Sequence, residues 1–481
     1  MSAVQSFRKC AVIGAGFAGL GVMSAFLRDG VAFDAFEAEE DLGGNWRHGV
    51  YDGVHIISSR KTTEFPDYPM PSETPDFPSA AQMIAYLRSY ADRFQLRTRI
   101  TFNKGVKQLL PETNGHWRLV FADGEERIYT SVVISTGHHW DRIMPEIKGE
   151  FTGELIHSKD YKHRDFLKGK RVLVIGGGNS ACDIAVEAAR TGEASSISLR
   201  HGYWFLPKTM FGIPTVEIAK PWMPVWFQRT LLRGALSVIV GNYEQYGLPK
   251  PNHKIFEHHP TINAEILHFL KHGRITPRPE IDRVEGKCVY FANNTKAEFD
   301  LIVAATGFKL SVPVLGPEVL SSKRGIPQLI GGVVSRTHPN LYVFGFSQPR
   351  YGAGPLIHAG ATLVSAMVRT QPRLKTPIGE LLSRLGVRPP STVLQDPFAV
   401  LRQAKYGARL VEALPKLESW ILRTRPSYRS RSESSQGKPS AVSGGAQKAS
   451  TVDPSNSATS IVLAQTKNAS ARELKEVSAN A

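Results

Sequence analysis

Two short apolar runs stand out in the hydrophobic pattern of the chain, because each is followed by a glycine-rich turn and then by a helical pattern. The turns occupy residues 14–19 and 176–181. In such a unit the first glycine allows the tight turn, the second lets a pyrophosphate approach the backbone, and the third position packs the helix on the sheet. The pyrophosphate rests at the helix N-terminus, where free N–H groups favour anionic oxygens. The pattern predicts an α/β fold with two dinucleotide sites.

The strand that follows each helical pattern ends in a charged residue. In the first copy the run VAFDAFEA reaches Glu37, which suits acceptance of hydrogen bonds from ribose hydroxyls. In the second copy the strand SSISLR ends at Arg200, and a cation there suits a phosphate on the adenosine 2′ oxygen. The second site is therefore predicted to prefer NADPH over NADH.

Composition, charge and cysteine spacing limit the classes of function that the chain can have. The 481 residues include 42 glycines and 42% hydrophobic residues, enough for two or three domains with sizeable cores. The formal net charge is +16, but Lys and Arg are scattered, so no nucleic-acid partner is predicted. The three cysteines, Cys10, Cys182 and Cys288, lie far apart, which predicts neither a metal site nor the cysteine pair of a disulfide-reducing flavoenzyme.

The first strand begins by about Lys9, which leaves no room for a secretion signal, so a cytoplasmic location is expected. The apolar stretch from Val225 is interrupted by Arg229 and Arg233 and predicts a buried or lid-like helix rather than a membrane span. A peripheral membrane contact stays open there.

The C-terminal part of the chain divides into a helical segment and a polar tail. A helix is predicted from Asp396 as cap and Pro397 as first residue to an end near Pro415, with more helix beyond. Residues 427–481 are rich in Ser, Ala, Asn, Lys and Gly and are predicted to be disordered.

A further motif lies between the two glycine turns. FTGELIHSKDY, residues 151–161, fits the pattern FxGxxxHxxxY. Together with the two turns it resembles the flavin-containing monooxygenases, which are class B flavoprotein monooxygenases. The resemblance spans roughly residues 9–420, and other matching segments are DLGGNW at 41–46, TTEFPDYPMP at 62–71, VVISTGHHW at 132–140 and DLIVAATGF at 300–308.

The resemblance implies two Rossmann-like domains, with an NADPH domain inserted in a discontinuous FAD domain. The FAD domain would comprise residues 6–150 and 300–420, and the NADPH domain residues 151–299 with a lid at 203–272. The residues implied to bind FAD are Gly14, Gly16, Gly19, Glu37, Gly44, Trp46, Thr136, Gly137, Thr306 and Gly307. Those implied to bind NADPH are Gly176, Gly178, Asn179, Ser180 and Arg200, and those implied to lie at the domain seam are Phe151, Gly153, His157 and Tyr161.

The chemistry implied is that NADPH reduces FAD, oxygen adds to give a C4a-hydroperoxyflavin, and one oxygen atom passes to a nitrogen or sulfur centre of a small organic substrate. The cofactor carries the hard step, and the protein positions groups and excludes water. An asparagine that the family usually carries near the peroxide has no match here, since Ile57, Ser58 and Ser59 occupy that neighbourhood. Ser58 and Ser59 are the candidate hydrogen-bond donors in its place.

Three alternatives remain. A Baeyer–Villiger monooxygenase would attack a ketone with an anionic peroxyflavin near a cation, but its linker motif normally ends in Trp-Pro, whereas Tyr161 and Lys162 stand here. An NADPH:flavin electron-transfer reductase or oxidase is disfavoured by the oxygenase motif. A non-catalytic redox sensor would also keep the fold, because fold alone does not fix activity. Substrate identity, coupling to product and oligomeric state are not given by these patterns.

Overall fold

The computed structural model describes residues 5–426. The tail predicted to be disordered, residues 427–481, lies outside the described residues. The α-helices are α1 (Phe17–Arg28), α2 (Arg60–Thr63), α3 (Ala80–Arg93), α4 (Asn179–Thr191), α5 (Thr215–Ile218), α6 (Val225–Ile239), α7 (Glu265–Lys271), α8 (Gly354–Thr370), α9 (Ile378–Arg384) and α10 (Pro397–Thr424).

Within residues 5–426 the strands fall into two larger sheets, one four-stranded sheet and three two-stranded pairs. In chain order they are β1 (Gln5–Ile13), β2 (Phe33–Phe36), β3 (Ile100–Thr101), β4 (Val106–Pro111), β5 (Trp117–Phe121), β6 (Glu126–Ile134), β7 (Lys148–Phe151), β8 (Glu154–His157), β9 (Arg171–Ile175), β10 (Ala194–Ser198), β11 (Thr209–Met210), β12 (Ile213–Pro214), β13 (Thr276–Arg278), β14 (Ile281–Gly286), β15 (Cys288–Phe291), β16 (Lys296–Glu298), β17 (Leu301–Ala304), β18 (Ser322–Lys323), β19 (Ile326–Pro327), β20 (Leu341–Val343), β21 (Gln348–Pro349) and β22 (Leu394–Gln395).

The first large sheet contains the first glycine turn. Its order is β3-β2-β1-β6-β5-β4, and β20 pairs in parallel with the end of β6. Strand β1 pairs in parallel with both β2 and β6, so the turn after Ile13 lies in the middle of the sheet. The carboxyl ends of parallel strands are where α/β folds bind ligands, so this position favours a binding role for the turn.

The second large sheet contains the second glycine turn and is parallel throughout, in the order β13-β10-β9-β17-β8. Residues 172–174 and 301–304 are fully buried, as expected for the central strands of a parallel sheet that is covered on both faces. Since the first sheet takes β1–β6 before the second and β20 after it, the fold class expected from the sequence is confirmed: a second Rossmann-like unit is inserted in a discontinuous first one.

One strand lies in a different sheet from the one expected. The segment DLIVAATGF was assigned to the FAD domain by the boundary at residue 300, but β17 pairs with β8 and β9 in the second sheet. The chain rejoins the first sheet only at β20. A short, fully apolar run fits any buried parallel strand, so its periodicity does not say which sheet it joins.

The helical stretch from Val225 forms α6, which is more exposed than expected. Its buried residues are Gln228, Leu232 and Leu236, while several large apolar side chains face solvent. Within residues 5–426, no helix combines the length and the apolarity needed to cross a membrane.

Helix α10 continues past the proline that was expected to end it. The predicted cap is confirmed, because Asp396 Oδ1 accepts a hydrogen bond of 2.9 Å from the Ala399 amide. The helix then runs to Thr424 with Pro415 inside it. The buried side chains at 404, 411, 414 and 421 lie on the face that packs against α8, and this burial offsets the backbone hydrogen bond that proline removes.

We expect Pro415→Ala to raise the free energy of unfolding by about 1–3 kcal/mol, because alanine restores the missing N–H in a helix interior. Thermal unfolding followed by circular dichroism measures this. Substitution of the exposed neighbour Lys416 by alanine is the control and is expected to leave the midpoint unchanged. A lower midpoint for Pro415→Ala would show that the packing of α10 on α8 requires the proline.

Candidate active site

The two helices that follow the glycine turns have open N-termini. The N-cap residues of α1 and α4 are Gly16 and Gly178, and neither helix has a side chain that accepts from its first amides. By contrast, Ser79 caps α3 and Asp396 caps α10. The free amides and the positive end of the helix dipole make both open termini suited to phosphate groups.

Close backbone contacts require glycine at the first position of each turn. Gly14 has φ +98°, and a Cβ there would lie 2.7 Å from the Ser135 carbonyl oxygen. Gly176 has φ +122°, and a Cβ there would lie 2.5 Å from the Ala305 carbonyl oxygen. A Cβ at Gly178 would meet no atom of residues 5–426 within 4 Å, so this part of the fold leaves the space beside it open.

One cavity of about 1820 Å³ joins the two turns. The predicted site residues that line it are Gly14, Gly16, Glu37, Gly44, Trp46, Ser58, Thr136, Gly137, Gly178, Asn179, Ser180 and Gly307. The predicted residues outside its lining are Gly19, Ser59, Phe151, Gly153, His157, Tyr161, Gly176, Arg200 and Thr306. A single cavity bordered by two open helix ends can hold two dinucleotides side by side.

Glu37 is fixed directly after β2. Its Oε2 accepts a 2.7 Å hydrogen bond from the Ala15 amide, and its Oε1 accepts one of 3.2 Å from the Glu39 amide. The side chain is buried and lines the cavity, so a carboxyl acceptor is held beside the first turn.

Arg200 lies in a different setting from Glu37. Strand β10 ends at Ser198, two residues before the predicted end, and Arg200 is exposed outside the lining of the cavity. The aromatic ring of Tyr203 covers Gly177 and lines the cavity instead. The phosphate-binding role of Arg200 stays a prediction.

The seam motif divides into two halves. A Cβ at Gly153 would lie 2.5 Å from the Phe151 ring, so this pair packs at the connection of β7 and β8, away from the cavity. His157 is buried, donates from Nε2 to the Gly307 carbonyl at 3.1 Å and accepts at Nδ1 from the Lys159 amide at 3.1 Å. Both ring nitrogens are used and burial lowers the pKa of His157, so this neutral imidazole positions the Gly307 turn.

Two tyrosines bind carboxylates one helical turn apart on α4. The Tyr51 hydroxyl donates to Asp183 at 2.8 Å, and the Tyr161 hydroxyl donates to Glu187. Asn263 donates to the other Asp183 oxygen at 2.7 Å. Burial raises the pKa of both carboxyl groups. These bonds fix α4, and with it the second open helix end, against the segment that carries Tyr51.

Ser58 and Ser59 have separate roles. Ser59 is fully buried and caps α2 in a reciprocal arrangement with Thr62, so its hydroxyl is committed to the fold. Ser58 lines the cavity and its hydroxyl lies 2.7 Å from that of Thr63. Ile57 also lines the cavity and gives that part of the wall an apolar side chain.

Two further polar side chains border the cavity. His138 is 6% exposed, and neither of its ring nitrogens has a hydrogen-bond partner within residues 5–426. Arg350 is 4% exposed and pairs with Asp396. Its guanidinium carbon lies 4.8 Å from the centroid of the Phe256 ring. Buried polar groups are normally satisfied, so an unpartnered imidazole on a cavity wall fits a site that a ligand completes.

Comparison with known proteins identifies the family. The family model for flavin-binding monooxygenase-like proteins matches residues 7–369. The chain belongs to this family. The probable indole-3-pyruvate monooxygenase YUCCA8 of Arabidopsis thaliana is 31% identical over 360 residues, covering 70% of this chain and 84% of that protein. Human flavin-containing monooxygenase 2 is 31% identical over 360 residues, covering 67% of this chain and 65% of that protein.

Solved structures of flavin monooxygenases share the fold. A flavin-containing monooxygenase from Stenotrophomonas maltophilia superposes with a TM-score of 0.58 at 21% identity, covering 85% of this chain and 99% of that one. A closed structure of cyclohexanone monooxygenase gives a TM-score of 0.66 at 18% identity, covering 85% of this chain and 98% of that one. This flavin-dependent monooxygenase is thus an oxidoreductase whose cofactors are FAD and NADPH.

The residues present fit both cofactors. The open ends of α1 and α4, the space beside Gly178 and the orphaned nitrogens of His138 all lie on the one cavity. Glu37 supplies the acceptor that an adenosine ribose requires.

Several site residues were missed from the sequence. Tyr51, Asp183 and Asn263 meet only in the folded chain, and carboxylates spaced four apart on a helix are usually solvated. His138 belongs to the segment VVISTGHHW, but only its burial distinguishes it from the exposed His139. Glu39, Glu40 and His48 place ligand atoms within 4.8 Å of one another on the surface, although exposed acidic groups commonly lie together without a metal ion.

We expect Gly178→Ala to weaken NADP⁺ binding by about tenfold or more, because its methyl group occupies the open space where the backbone should approach a pyrophosphate. Titration of the FAD-loaded protein with NADP⁺ measures this. FAD content and thermal midpoint should not change, since the methyl group meets no protein atom. The control is Gly234→Ala in α6, which also meets nothing within 4 Å. Unchanged NADP⁺ affinity in Gly178→Ala would contradict the assignment.

We expect Asp183→Asn to become more stable relative to the natural chain as pH rises. Burial raises the pKa of Asp183 above its ordinary 3.8, so the folded state binds more protons, and the contribution of this group is lost as pH rises through the folded pKa. Denaturant unfolding from about pH 4 to pH 8 measures the difference. A pH-independent difference would show that Asp183 titrates alike in both states.

Proposed function

We propose that this flavin monooxygenase oxygenates a nitrogen or sulfur centre of a small organic substrate. The observation that carries the proposal is the cavity bordered by both open helix ends, because a nicotinamide bound at α4 and a flavin bound at α1 would then share one space. Tyr161 followed by Lys162, in place of Trp-Pro, favours a heteroatom over a ketone. The names of relatives add support, since one is a dimethylaniline monooxygenase described as N-oxide-forming.

The assignment of individual residues is part of the proposal. We assign the FAD pyrophosphate to the α1 end with Gly14 and Gly16, its ribose to Glu37, and the NADPH pyrophosphate to Gly178 and Asn179. When bound, the two cofactors supply hydride transfer and the activation of oxygen.

Three side chains shape the wall of this space. Ile57 excludes water from its part of the wall, Ser58 offers a hydroxyl, and His157 holds the Gly307 turn. The lid at 203–272 would select the substrate. A cytoplasmic location stays a prediction.

A specific observation favours a second candidate, the oxygenation of a carbonyl compound. Arg350 is a buried cation on the cavity wall, and a cation would stabilise the anionic intermediate of ketone oxygenation. The family's usual asparagine has no match in the neighbourhood of Ile57, Ser58 and Ser59, which removes one feature of the heteroatom-oxidising enzymes. The indole-3-pyruvate in the names of plant relatives is also a carbonyl compound.

The experiment that decides is a coupled assay with a tertiary amine, a thioether and a cyclic ketone, each followed by NADPH loss and by mass spectrometry of the product. An N-oxide or sulfoxide formed one-for-one with NADPH supports the proposal. An ester or lactone from the ketone alone would replace it with the second candidate, and that activity should fall in Arg350→Met. Hydrogen peroxide without oxygenated product from any of the three would indicate a reductase or oxidase.

We expect Ser58→Ala to lower the ratio of oxygenated product to NADPH consumed by about tenfold or less, because one hydrogen-bond donor is lost from the cavity wall. The measurement is product yield against peroxide yield. The matched variant Ser59→Ala should leave that ratio unchanged but destabilise the fold by about 1 kcal/mol, since it loses a helix cap. Equal effects of both variants on the ratio would remove Ser58 from the site.

A further inference from the structure

The cavity continues beyond the two glycine turns, into a space between helices α8 and α10. On α8 its wall includes the residues at 356, 360, 363 and 367, and on α10 it includes those at 400, 404, 407 and 411. The two sets have the same spacing of four, three and four residues, so each set forms one stripe along its helix. We call the space between these two stripes the α8–α10 branch.

The two stripes lie side by side because α8 and α10 run in the same direction. Strands β21 and β22, which precede the two helices, pair in parallel with Gln348 opposite Leu394. Farther along, Arg369 donates a hydrogen bond of 3.1 Å to Glu412 Oε1. At about 1.5 Å of rise per residue, each stripe extends about 16 Å. The α8–α10 branch is therefore an elongated space bounded by two parallel helices.

The residues of both stripes are apolar, and each stripe contains one glycine. A Cβ at Gly407 would lie 3.4 Å from Leu363 Cδ1, so a larger side chain at 407 would enter the space between the helices. Protein interiors hold few voids larger than a water molecule, and an apolar void excludes water and favours an apolar occupant. The axes of packed helices lie about 8–10 Å apart, so the branch admits a slender chain rather than a ring system.

One end of the α8–α10 branch lies beside the part of the cavity wall that carries Ser58. Gly354, at the start of α8, is so close to the Thr63 carbonyl oxygen that no Cβ would fit between them. The Thr63 hydroxyl lies 2.7 Å from the Ser58 hydroxyl, and Leu356 lines the cavity together with both residues. A molecule in the branch therefore reaches the hydroxyl that we assign to the reaction space.

Helix α10, which forms half of the branch, lies beyond the residues that match the family model. That match ends at residue 369, whereas α10 begins at Pro397. Gln403 and Tyr406 line the cavity and are exposed, so in the described part of the chain the branch also opens beside α10. The branch is thus a feature of this chain that adds to the two expected dinucleotide sites.

We propose, on the basis of the heteroatom oxygenation proposed above, that the substrate carries an unbranched apolar chain and that the α8–α10 branch binds this chain. The nitrogen or sulfur centre lies near Ser58, and the chain runs between the two stripes toward Gly407. Each CH2 group that leaves water on binding strengthens the affinity about three- to fourfold. The substrate class is therefore an amphiphile with a nucleophilic head and a chain of several carbons.

The test is isothermal titration calorimetry of the full-length, FAD-loaded protein with N,N-dimethylalkylamines whose chains run from ethyl to decyl. The amines are kept below the concentration at which they form micelles, and NADPH is omitted so that no turnover occurs. The expected result is an affinity that rises about three- to fourfold with each added carbon over several consecutive members. An affinity that does not depend on chain length overturns the proposal.

Gly407→Leu should lower the affinity for the decyl amine by at least about tenfold and leave that for the ethyl amine nearly unchanged, because its side chain fills the branch. Ala404→Leu is a second blocking variant with the same expected effect. The matched control is Lys405→Leu, which adds the same side chain to an exposed position outside the cavity lining and should bind the series as the natural chain does. Flavin absorbance and the thermal midpoint establish that each variant is folded.

The variants also show where the chain binds. Equal loss of affinity in Lys405→Leu, or unchanged affinity for the decyl amine in both blocking variants, overturns the proposal, since the chain would then bind elsewhere.

An oxygenation assay of the same amines separates this proposal from the proposed function. N-oxide formed from the short amines, together with an affinity independent of chain length, would retain the function and overturn the binding of a chain in the branch. An affinity that rises with chain length, without any N-oxide, would support the branch and remove heteroatom oxygenation.

Discussion

The position of α4 relative to α1 is the constraint on which the other features of the site depend. Both helices begin in glycine turns without side-chain caps, and both open ends border one cavity. The hydrogen bonds from Tyr51 to Asp183 and from Tyr161 to Glu187 hold α4 in that position. In the proposed binding mode, hydride transfer requires the reacting atoms of the two cofactors to lie a few ångströms apart, so a small rotation of α4 would separate them.

This arrangement carries a local cost in stability. Asp183 and Glu187 are removed from water, and burial raises the pKa of each. Hydrogen bonds from Tyr51, Tyr161 and Asn263 compensate part of that desolvation. The open helix ends add to the cost, because their amides have no side-chain acceptor. In the proposed binding mode the two pyrophosphates would accept from those amides, so cofactor binding would offset part of this cost.

The sequence contains the parts of the site that depend on backbone chemistry. The glycines at 14 and 176 are readable because a tight turn and a close backbone approach require glycine, and the acid at 37 is readable because the residue expected to accept from a ribose is Asp or Glu. Contacts between distant segments are not readable in the same way. Nothing near Tyr51 in the sequence indicates that its hydroxyl lies 2.8 Å from a carboxylate oxygen of Asp183.

Other differences have the same origin. Strand β17 was placed in the wrong sheet because a fully apolar run carries no information on its neighbours. Helix α10 passes Pro415 because packing on α8 outweighs a local preference. The sequence likewise does not show that one face of α6 is exposed, because its apolar residues would fit a buried helix equally well.

The most direct test of the account is to mix the FAD-loaded protein with NADPH in the absence of oxygen and to follow flavin absorbance by stopped flow. One cavity shared by both cofactors predicts rapid loss of the oxidised flavin spectrum, with a rate that saturates as NADPH increases. A flavin that stays oxidised in excess NADPH, while NADP⁺ binding is retained, would contradict the claim that α1 and α4 bring the two dinucleotides together.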